Sequence, residues 1–269
     1  MNASVAGPLV LLDATAISVQ RGGVGRYVDE LARQSVIAGI SLVVVCQERD
    51  RESFAAMEVD LVVAPAWISS VPLRFVWEQF GLPALAARLG ATVIHSPHYT
   101  FPLVTGVRRV VTVHDLTFWS HPDRHSALKR VFFKSWIRLA ASLRLDVVVP
   151  SAATGAEFVR VAGASADRVT VAYHGVDGAV FRPPSTTAVA RFAQDHGVSR
   201  WVAFLGTIEP RKNVVPLIEG FRLAVRGSTP PPALLLAGAP GWDTAVSDGI
   251  ARANADGLDV RHLGYVPLD

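Results

Sequence analysis

The sequence predicts an α/β protein built on doubly wound parallel sheets. Short apolar runs alternate with longer amphipathic segments along all 269 residues. The short runs are continuous stretches of Val, Ile and Leu, which is typical of strands covered on both faces. Half of the residues are hydrophobic and only 18% are charged, so the chain can build a large core. Repeated strand–helix–strand alternation with such strands favours the doubly wound class.

Each predicted strand is a short aliphatic run between turn residues, and the runs are 9–12, 42–45, 61–63, 92–95, 110–113, 147–149, 169–172, 202–205, 234–237 and 260–263. Each predicted helix is a longer segment with apolar residues at intervals of three and four, and the segments are 24–38, 73–89, 127–143, 153–161, 214–225 and about 243–255. The strand–helix unit therefore repeats from one end of the chain to the other.

A domain boundary is predicted near residues 182–187, where two prolines and three hydroxyl residues interrupt the pattern. Residues 1–184 then form one domain, and residues 185–269 form the second, whose strand pattern restarts at Trp201. The second segment contains only three predicted strands and two helices, whereas a complete domain of this kind needs roughly 120–150 residues. We therefore expect the second domain to be incomplete, in a protein that is either longer or truncated.

Composition excludes several classes of protein. The formal charge of +3 is small and the basic residues are scattered, which argues against a nucleic-acid partner. The single cysteine, Cys46, cannot form an internal disulfide and fits a reducing cytosol. The N-terminal segment has no basic leader, and no run of about 18 uncharged apolar residues occurs. We expect a soluble, cytoplasmic protein.

The most informative stretch is residues 204–213, Phe-Leu-Gly-Thr-Ile-Glu-Pro-Arg-Lys-Asn. An apolar strand leads into Gly206, a polar turn presents Arg211 and Lys212, and a predicted helix starts at about Val214. Two cations and a helix N-terminus at one point suit a diphosphate group. The alternative is an ordinary strand–turn–helix connection with two solvated basic residues.

A glycine-rich loop, Gly22-Gly-Val-Gly25, precedes the first predicted helix and is followed by Arg26. Glycines let backbone N–H groups approach a ligand, and the helix dipole points at them. A dinucleotide site of the Rossmann type is an alternative, with Glu48 at the end of the second strand. Against it, the third glycine position is Val28, and the loop lies about nine residues beyond Asp13 rather than directly after the strand. A capping loop without a ligand stays open as well.

Histidines follow two neighbouring strands. His114 and Asp115 come directly after residues 110–113, and His98 and Tyr99 follow residues 92–95. Open α/β sheets bind ligands at the carboxyl ends of their strands, and histidine donates or accepts hydrogen bonds at neutral pH. These side chains are candidates for contacts with a polar ligand, although a strand-end histidine or a proline-set turn can also be purely structural.

The glycine loop, the two strand ends and the phosphate loop occur in an order that resembles the family 4 glycosyltransferases. Five stretches carry the resemblance, namely 21–27, 110–118, 147–151, 173–183 and 204–213. It spans nearly the whole chain and is closest to the bacterial mannosyltransferase-like branch. The resemblance implies the GT-B fold, in which two Rossmann-like domains face each other across a cleft.

The resemblance also implies a reaction, the transfer of a hexose from a GDP- or UDP-linked donor to a glycan or lipid-linked acceptor, with mannose as the expected hexose. Members of the family retain the anomeric configuration and need no protein base. The nucleotide sugar is a co-substrate, so we expect no cofactor. The chain has no Asp-x-Asp sequence, the common metal–diphosphate signature of the other large transferase architecture. We therefore expect no metal, with Arg211 and Lys212 stabilising the leaving diphosphate.

Site roles follow from the same resemblance. Lys212 matches the donor-phosphate lysine, with Gly206 in the same loop. The partner arginine of the family corresponds here to Thr207, so Arg211 is expected to supply the guanidinium. In the first half, Gly23 is expected near the donor phosphate, and the acceptor or cleft residues are expected to be Gly22, Gly25, Arg26, His98 and Tyr99.

His114 is expected beside the donor sugar, with Asp115 holding its ring or the loop. The role of His114 is to position the sugar. In the resembled family the second domain carries two further glutamates, in a stretch that this sequence does not reach. An alternative function is therefore a truncated, inactive chain that only binds nucleotide or a partner. A nicotinamide-dependent oxidoreductase is a third hypothesis.

The predicted helix over 127–144 has Arg130, Lys134 and Arg138 at intervals of four, which makes a basic stripe on one face. The opposite face is mainly apolar and includes Leu128 and Val131. Such a helix suits peripheral contact with the inner face of an anionic membrane, and hence a lipid-linked acceptor. The alternative, which the pattern favours, is a packed helix with its basic side in solvent.

Overall fold

The computed structural model of the chain describes residues 7–19 and 21–266. It divides into two compact units, unit 1 (Met1–Gly175) and unit 2 (Val176–Asp269). The predicted boundary at 184/185 therefore falls within unit 2. All ten predicted strands and all six predicted helices are present, with bounds that differ by a few residues at most.

The strands are β1 Val10–Asp13, β2 Leu42–Cys46, β3 Asp60–Val63, β4 Val93–Ser96, β5 Arg108–Thr112, β6 Asp146–Val149, β7 Val169–Val171, β8 Trp201–Leu205, β9 Ala233–Ala237 and β10 Val260–Gly264. The α-helices within the described residues are α1 Gly23–Ile37, α2 Arg51–Ala55, α3 Val71–Leu89, α4 Thr117–Ser120, α5 Ala127–Ser142, α6 Ala152–Ala162, α7 Thr186–His196, α8 Val214–Ala224 and α9 Ala245–Ala255. Three of the helices, α2, α4 and α7, are additional to the prediction.

Unit 1 is a seven-stranded parallel sheet in the order β3-β2-β1-β4-β5-β6-β7. Its central strands are covered on both faces, and every residue of β2 is buried. Cys46 lies at the end of β2, where burial raises the pKa of its thiol to about 12. Cys46 is therefore a free thiol buried in the sheet.

Unit 2 contains a three-stranded parallel sheet in the order β10-β9-β8. Its largest core cluster joins β9 to α8 and α9 through residues such as Ile218, Leu234 and Val246. The prediction that strands are covered on both faces is wrong for β8, where Val202 and Leu205 are exposed. Among the described strands β8 pairs only with β9, so one edge of the strand carries no neighbour and its side chains are less covered.

Helix α7 lies where the sequence suggested a linker. The start of this helix is hard to recognise in the sequence because two prolines precede it. Ser185 is the N-cap, and its hydroxyl accepts a hydrogen bond from the backbone N–H of Ala188. Gly197 ends the helix in the left-handed conformation. The Ser-Thr-Thr run therefore begins a helix.

Helix α5 is oriented differently from the favoured prediction. Its buried face consists of Trp136, Ile137, Ala140 and Ala141. Leu128 and Val131, expected on the packed side, are exposed. On the basic stripe, Lys134 and Arg138 lie over the ring of Trp119, at 5.1 and 5.5 Å from its centroid. Within the described residues no helix is both long and apolar enough to cross a membrane.

Candidate functional site

The switch point of the unit 1 sheet lies between β1 and β4, because the chain leaves β1 toward β2 and β3 and then returns on its other side. Open α/β sheets bind ligands in the crevice at such a point. Asp13 and Ser96 end these two strands, one position beyond the paired residues Leu12 and His95. Both are buried, and neither Asp13 Oδ2 nor Ser96 Oγ has a hydrogen-bond partner among the described residues. Buried polar atoms without a partner are uncommon in folded proteins, and two of the five found among the described residues lie at these adjoining strand ends.

His98 lies between two buried carboxylates at this crevice. Its Nε2 atom is 3.5 Å from Asp13 Oδ2 and 3.4 Å from Glu78 Oε2. The same Glu78 oxygen accepts hydrogen bonds from Arg74 Nη1 (2.9 Å) and from the Thr100 hydroxyl (2.8 Å). Both carboxylate side chains are fully buried, whereas His98 is one-tenth exposed. A lone pair at Nε2 would face two negative charges, so this nitrogen carries the proton.

The charges in this cluster act on one another. Burial alone would raise the pKa of the Glu78 carboxyl, but His98, then the Arg74 guanidinium and the Thr100 hydroxyl, lower the pKa below its ordinary value. Asp13, Glu78 and His98 bring three possible metal-ligand atoms within 4.8 Å of one another. Because Arg74 already supplies positive charge to the Glu78 oxygen concerned, we interpret the cluster as an ion-pair network.

A second network lies on the adjoining strand, β5. The Thr112 hydroxyl is 2.9 Å from His95 Nε2 and 3.2 Å from the Tyr27 hydroxyl. Burial, together with the charges of His98 and His114, lowers the pKa of His95 to about 4, so its ring is neutral at pH 7. The network ties α1 to the ends of β4 and β5.

His114 has a defined tautomer. Its Nε2–H donates to the Pro97 carbonyl at 2.8 Å. Burial lowers the pKa of His114, with a smaller contribution from His174, although the Pro97 hydrogen bond acts in the opposite direction. The ring is therefore neutral at pH 7, and its Nδ1 has a lone pair to offer. The ring also meets the Tyr27 ring edge-on, at a centroid distance of 5.0 Å.

Asp115 and Tyr99 hold the loops beside His114. Asp115 Oδ1 accepts hydrogen bonds from the Thr117 backbone N–H and hydroxyl, at 3.1 and 2.9 Å. Its own backbone N–H donates to the Tyr99 hydroxyl at 3.2 Å. Tyr99 has a φ of 68°, which a bulky residue adopts only when its surroundings enforce it. The Asp115 carboxylate therefore stabilises the turn after β5.

The glycine loop is fixed by Arg21, which forms ion pairs with Asp29 (3.0 Å) and Asp50 (2.9 Å). Gly25 is buried under this side chain, since a β-carbon there would lie 3.1 Å from Arg21 Cδ. A side chain at position 25 would therefore crowd Arg21, which explains the glycine.

Packing does not explain the glycines at positions 22 and 23. A β-carbon on either residue would meet nothing within 4 Å, and Gly22 has an ordinary extended backbone. Gly22 is the N-cap of α1, and no side chain among residues 7–19 and 21–266 caps the first N–H groups of the helix, which suit a ligand. Arg26 is exposed one turn further along.

In unit 2 the predicted phosphate loop packs tightly on the loop after β9. Gly206 N–H donates to the Ala237 carbonyl at 2.8 Å. A β-carbon on Gly238 would collide with the Gly206 carbonyl, and one on Gly241 would collide with the Ile208 carbonyl. These two glycines let the loops lie against each other.

The two loop cations have different surroundings. The Lys212 ammonium lies over Gly206 and has no ion-pair partner in the described part of the chain. Arg211 is half-exposed, and its Nε is 2.5 Å from Glu209 Oε2, which offsets its charge. Asn213, the N-cap of α8, has a left-handed backbone and makes no side-chain cap. The α8 N-terminus is thus free beside Lys212.

The predicted residues of unit 1 lie at the N-terminus of α1 or in loops after strands, and they are Gly22, Gly23, Gly25, Arg26, His98, Tyr99, His114 and Asp115. The predicted residues of unit 2, Gly206, Arg211 and Lys212, lie between β8 and α8. Sequence reasoning missed Asp13, Glu78, Gly238 and Gly241. A charged residue ending a buried strand and an acid inside an apolar helix were the available signals for the first two.

Comparisons with known proteins agree with the predicted family. The model of Glycosyltransferase Family 4 matches residues 21–179, which is more than half of the chain. A curated relative, the O-antigen chain mannosyltransferase B of Escherichia coli, is 28% identical over 178 residues, which make up 65% of this chain and 46% of the relative. The chain thus spans about half the length of that relative.

Two solved structures share the fold. HepE of Anabaena, in complex with UDP and glucose, has a TM-score of 0.68 and 17% identity, over 97% of this chain and 70% of that chain. A glycosyltransferase from Rickettsia africae has a TM-score of 0.70 and 14% identity, over 96% and 68% of the two chains. The predicted α/β fold of the GT-B type is confirmed. With its sheet order, its strand-end motifs and a family match over more than half of its residues, the chain belongs to glycosyltransferase family 4.

Proposed function

We propose that the protein is a glycosyltransferase that moves a hexose from a nucleoside diphosphate sugar to a glycan or lipid-linked acceptor. The observation that carries the proposal is the unit 2 loop, where the Lys212 ammonium lies over Gly206 beside the uncapped N-terminus of α8. Both features concentrate positive charge at one point. The family match and the UDP–glucose complexes of a similar structure support the same reaction class.

Transfer requires stabilisation of the leaving group. As the bond from the anomeric carbon to phosphate breaks, negative charge grows on the diphosphate and must meet fixed positive charge. Lys212 supplies that charge together with the α8 backbone N–H groups. Arg211 contributes less, because Glu209 already neutralises part of its charge. We expect the loss of Lys212 to cost more activity than the loss of Arg211.

The finer chemistry is part of the same proposal. The transferred sugar is mannose on a GDP or UDP carrier, a choice supported by the name of the mannosyltransferase relative. The reaction retains the anomeric configuration and uses no metal, because the loop cations take the place of one at the diphosphate. Neutral His114 positions the sugar by accepting a hydroxyl hydrogen bond at Nδ1, while Gly22 and Gly23 let a ligand approach the α1 N-terminus.

The acceptor is presented at a membrane surface, with the protein peripheral at its cytoplasmic face. Helix α5 supports this part of the proposal, since Leu128 and Val131 are 81% and 62% exposed beside the exposed Lys129. Exposed aliphatic side chains next to cations fit the interface of an anionic bilayer. The α5 sequence contains no acidic residue, so nothing on the helix itself repels anionic headgroups.

The proposal is tested by Lys212→Ala in the full-length protein made by its native host. We expect sugar transfer from GDP-mannose or UDP-hexose to fall by about 100- to 1,000-fold, the scale of a lost donor at a developing negative charge. We also expect the dissociation constant of the free nucleoside diphosphate to rise about tenfold or more. Arg191→Ala is the matched control, because it removes an 84% exposed cation of unit 2 far along the sequence from the loop.

The outcomes separate the alternatives. Unchanged transfer in Lys212→Ala contradicts the proposed role of the loop. Nucleotide binding without any transfer by the wild-type protein supports the binding-module alternative. Binding of NAD instead of a nucleoside diphosphate supports the oxidoreductase hypothesis and contradicts the proposal.

A further inference from the structure

The crevice between β1 and β4 contains buried polar atoms that the fold leaves without hydrogen bonds to the described residues. Its two strand ends carry the buried atoms Asp13 Oδ2 and Ser96 Oγ, which lack hydrogen-bond partners among the described residues. Asp13 does have a local partner for its other oxygen, since Oδ1 accepts from the Thr15 N–H and hydroxyl at 2.9 and 2.7 Å. The unsatisfied oxygen is the one on the His98 side. A buried polar atom without a partner needs an explanation, and a bound ligand would supply one here.

His98 is one-tenth exposed, whereas the carboxylates of Asp13 and Glu78 are fully buried. Its Nε2–H faces the oxygens of Asp13 and Glu78, at 3.5 and 3.4 Å. Glu78 cannot turn away, because Arg74 and Thr100 hold the same oxygen. The two carboxylates therefore fix the ring and assign its proton to Nε2. The other nitrogen, Nδ1, makes no hydrogen bond to any residue within 7–19 and 21–266.

The chain on either side of His98 is fixed as well. Tyr99 is held at a φ of 68° by its hydrogen bond from Asp115 and by its packing in the core cluster of β5 and α5. On the other side, Pro97 accepts the hydrogen bond of His114. The imidazole is thus held in one place before any ligand binds, as an effective polar contact requires.

We propose that His98 is an acceptor-binding residue whose Nδ1 forms a hydrogen bond with a hydroxyl of the sugar acceptor, and that Asp13 and Glu78 are positioning residues that hold its ring. This inference rests on the proposed function, of which it names one acceptor contact. A sugar hydroxyl both donates and accepts, so it pairs with Nδ1 whether the ring is neutral or protonated. The acceptor therefore binds at the switch point of unit 1.

Two substitutions separate the roles of the two ring nitrogens. His98→Gln places an amide N–H near the position of Nε2 and removes Nδ1, so it keeps the contact with the carboxylates. His98→Asn places an amide near Nδ1 and removes the N–H that bonds to Glu78 and faces Asp13. The first variant is expected to fold like the wild-type protein, and the second is expected to unfold at a lower temperature.

The test uses the full-length protein, with methyl α-mannoside as the soluble acceptor. His98→Gln is expected to raise the acceptor KM about tenfold and to leave the donor KM and the nucleotide affinity unchanged. His121→Gln, at an exposed histidine of unit 1, is the control. An acceptor KM equal to that of the wild type, or a donor KM that rises in parallel, overturns the proposal. The second result would indicate a structural role.

Two further measurements keep the inference separate from the proposed function. If His98→Gln does not fold, Asp13→Asn is used, because it keeps Oδ1 for Thr15 and changes only the atom facing His98. It too must raise the acceptor KM alone, and an unchanged value overturns the proposal. Saturation-transfer NMR with the mannoside reports binding without turnover. Loss of that signal in His98→Gln supports the inference even if the wild-type protein transfers no sugar, whereas an undiminished signal overturns it.

Discussion

The ammonium group of Lys212 occupies the space that a β-carbon would take on Gly206. Gly206 also has a φ of 154°, a conformation that other residues rarely adopt. Gly206 thus follows the last residue of β8 and, having no side chain, leaves room for the ammonium group of Lys212. In the predicted phosphate loop, the position of the charge therefore depends on a residue that carries none.

We expect Gly206→Ala to reduce nucleotide binding although it removes no charge. The new methyl group displaces the flexible end of Lys212, and a φ of 154° is unfavourable for alanine, so both the cation and the loop backbone are expected to move. The affinity for UDP or GDP, measured by titration calorimetry, is expected to fall about tenfold or more, close to the effect of Lys212→Ala.

Gly220→Ala is the matched control for this experiment. Gly220 lies in α8, is exposed, and would bring its β-carbon within 4 Å of nothing. Because alanine favours a helix, this variant should be more stable by roughly 0.5–1 kcal/mol and should bind nucleotide normally. Normal nucleotide affinity in Gly206→Ala would show that Lys212 does not act from the position described.

The fold was predictable because its strands are apolar runs that the parallel sheet buries on both faces. Helix α7 was not, since its N-cap Ser185 follows two prolines that read equally well as a linker. The orientation of α5 was not predictable either. Apolar residues occur around most of that helix, so periodicity alone could not decide which of them, Trp136 or Leu128, faces the core.

Site residues that belong to a local sequence motif could be predicted. Site residues that only the tertiary structure brings to the crevice could not. His98 and His114 follow strands and could be named from the sequence. Glu78 could not, because it reaches the crevice from the middle of α3, 20 positions before His98. Only the fold shows that Glu78 and Asp13 face the same nitrogen of His98. Long-range pairing of this kind leaves no local sequence signal.

His95 predicts a pH dependence of stability. Its pKa is lowered to about 4 in the folded protein, whereas the unfolded chain protonates near the ordinary value. Between those two values the unfolded state binds the additional proton, so folded-state stability decreases as the pH falls. The pKa difference corresponds to roughly 3 kcal/mol at most, and the partial exposure of the ring makes the effect smaller.

The measurement is urea unfolding of the wild type and of His95→Gln at about pH 7 and about pH 5. The glutamine keeps an amide for Thr112 and does not titrate, so the variant should lose less stability on acidification than the wild type. Other histidines and the carboxylates titrate in both proteins and cancel in the difference. Equal losses in the two proteins would mean that His95 is protonated as easily in the folded state as in the unfolded state.

Membrane contact through α5 is tested by the double substitution Leu128→Ser and Val131→Ser. Both side chains are exposed, so the melting temperature should change little. Burial of two aliphatic side chains in a bilayer contributes about 1.5–3 kcal/mol each. Cosedimentation with phosphatidylglycerol vesicles should therefore weaken by about tenfold or more. Leu223→Ser removes a similarly exposed leucine from unit 2 and should leave vesicle binding unchanged.

The lipid and salt dependence identify what the helix recognises. Cations beside the apolar residues require that wild-type binding be weaker on phosphatidylcholine vesicles and that it decline as ionic strength rises, because salt screens exposed charges. Binding that ignores both variables, or that persists in the double variant, would locate the membrane contact elsewhere on the protein. If the double variant lost vesicle binding but still transferred mannose to a soluble mannoside, α5 would serve access to the acceptor and not the chemistry of transfer.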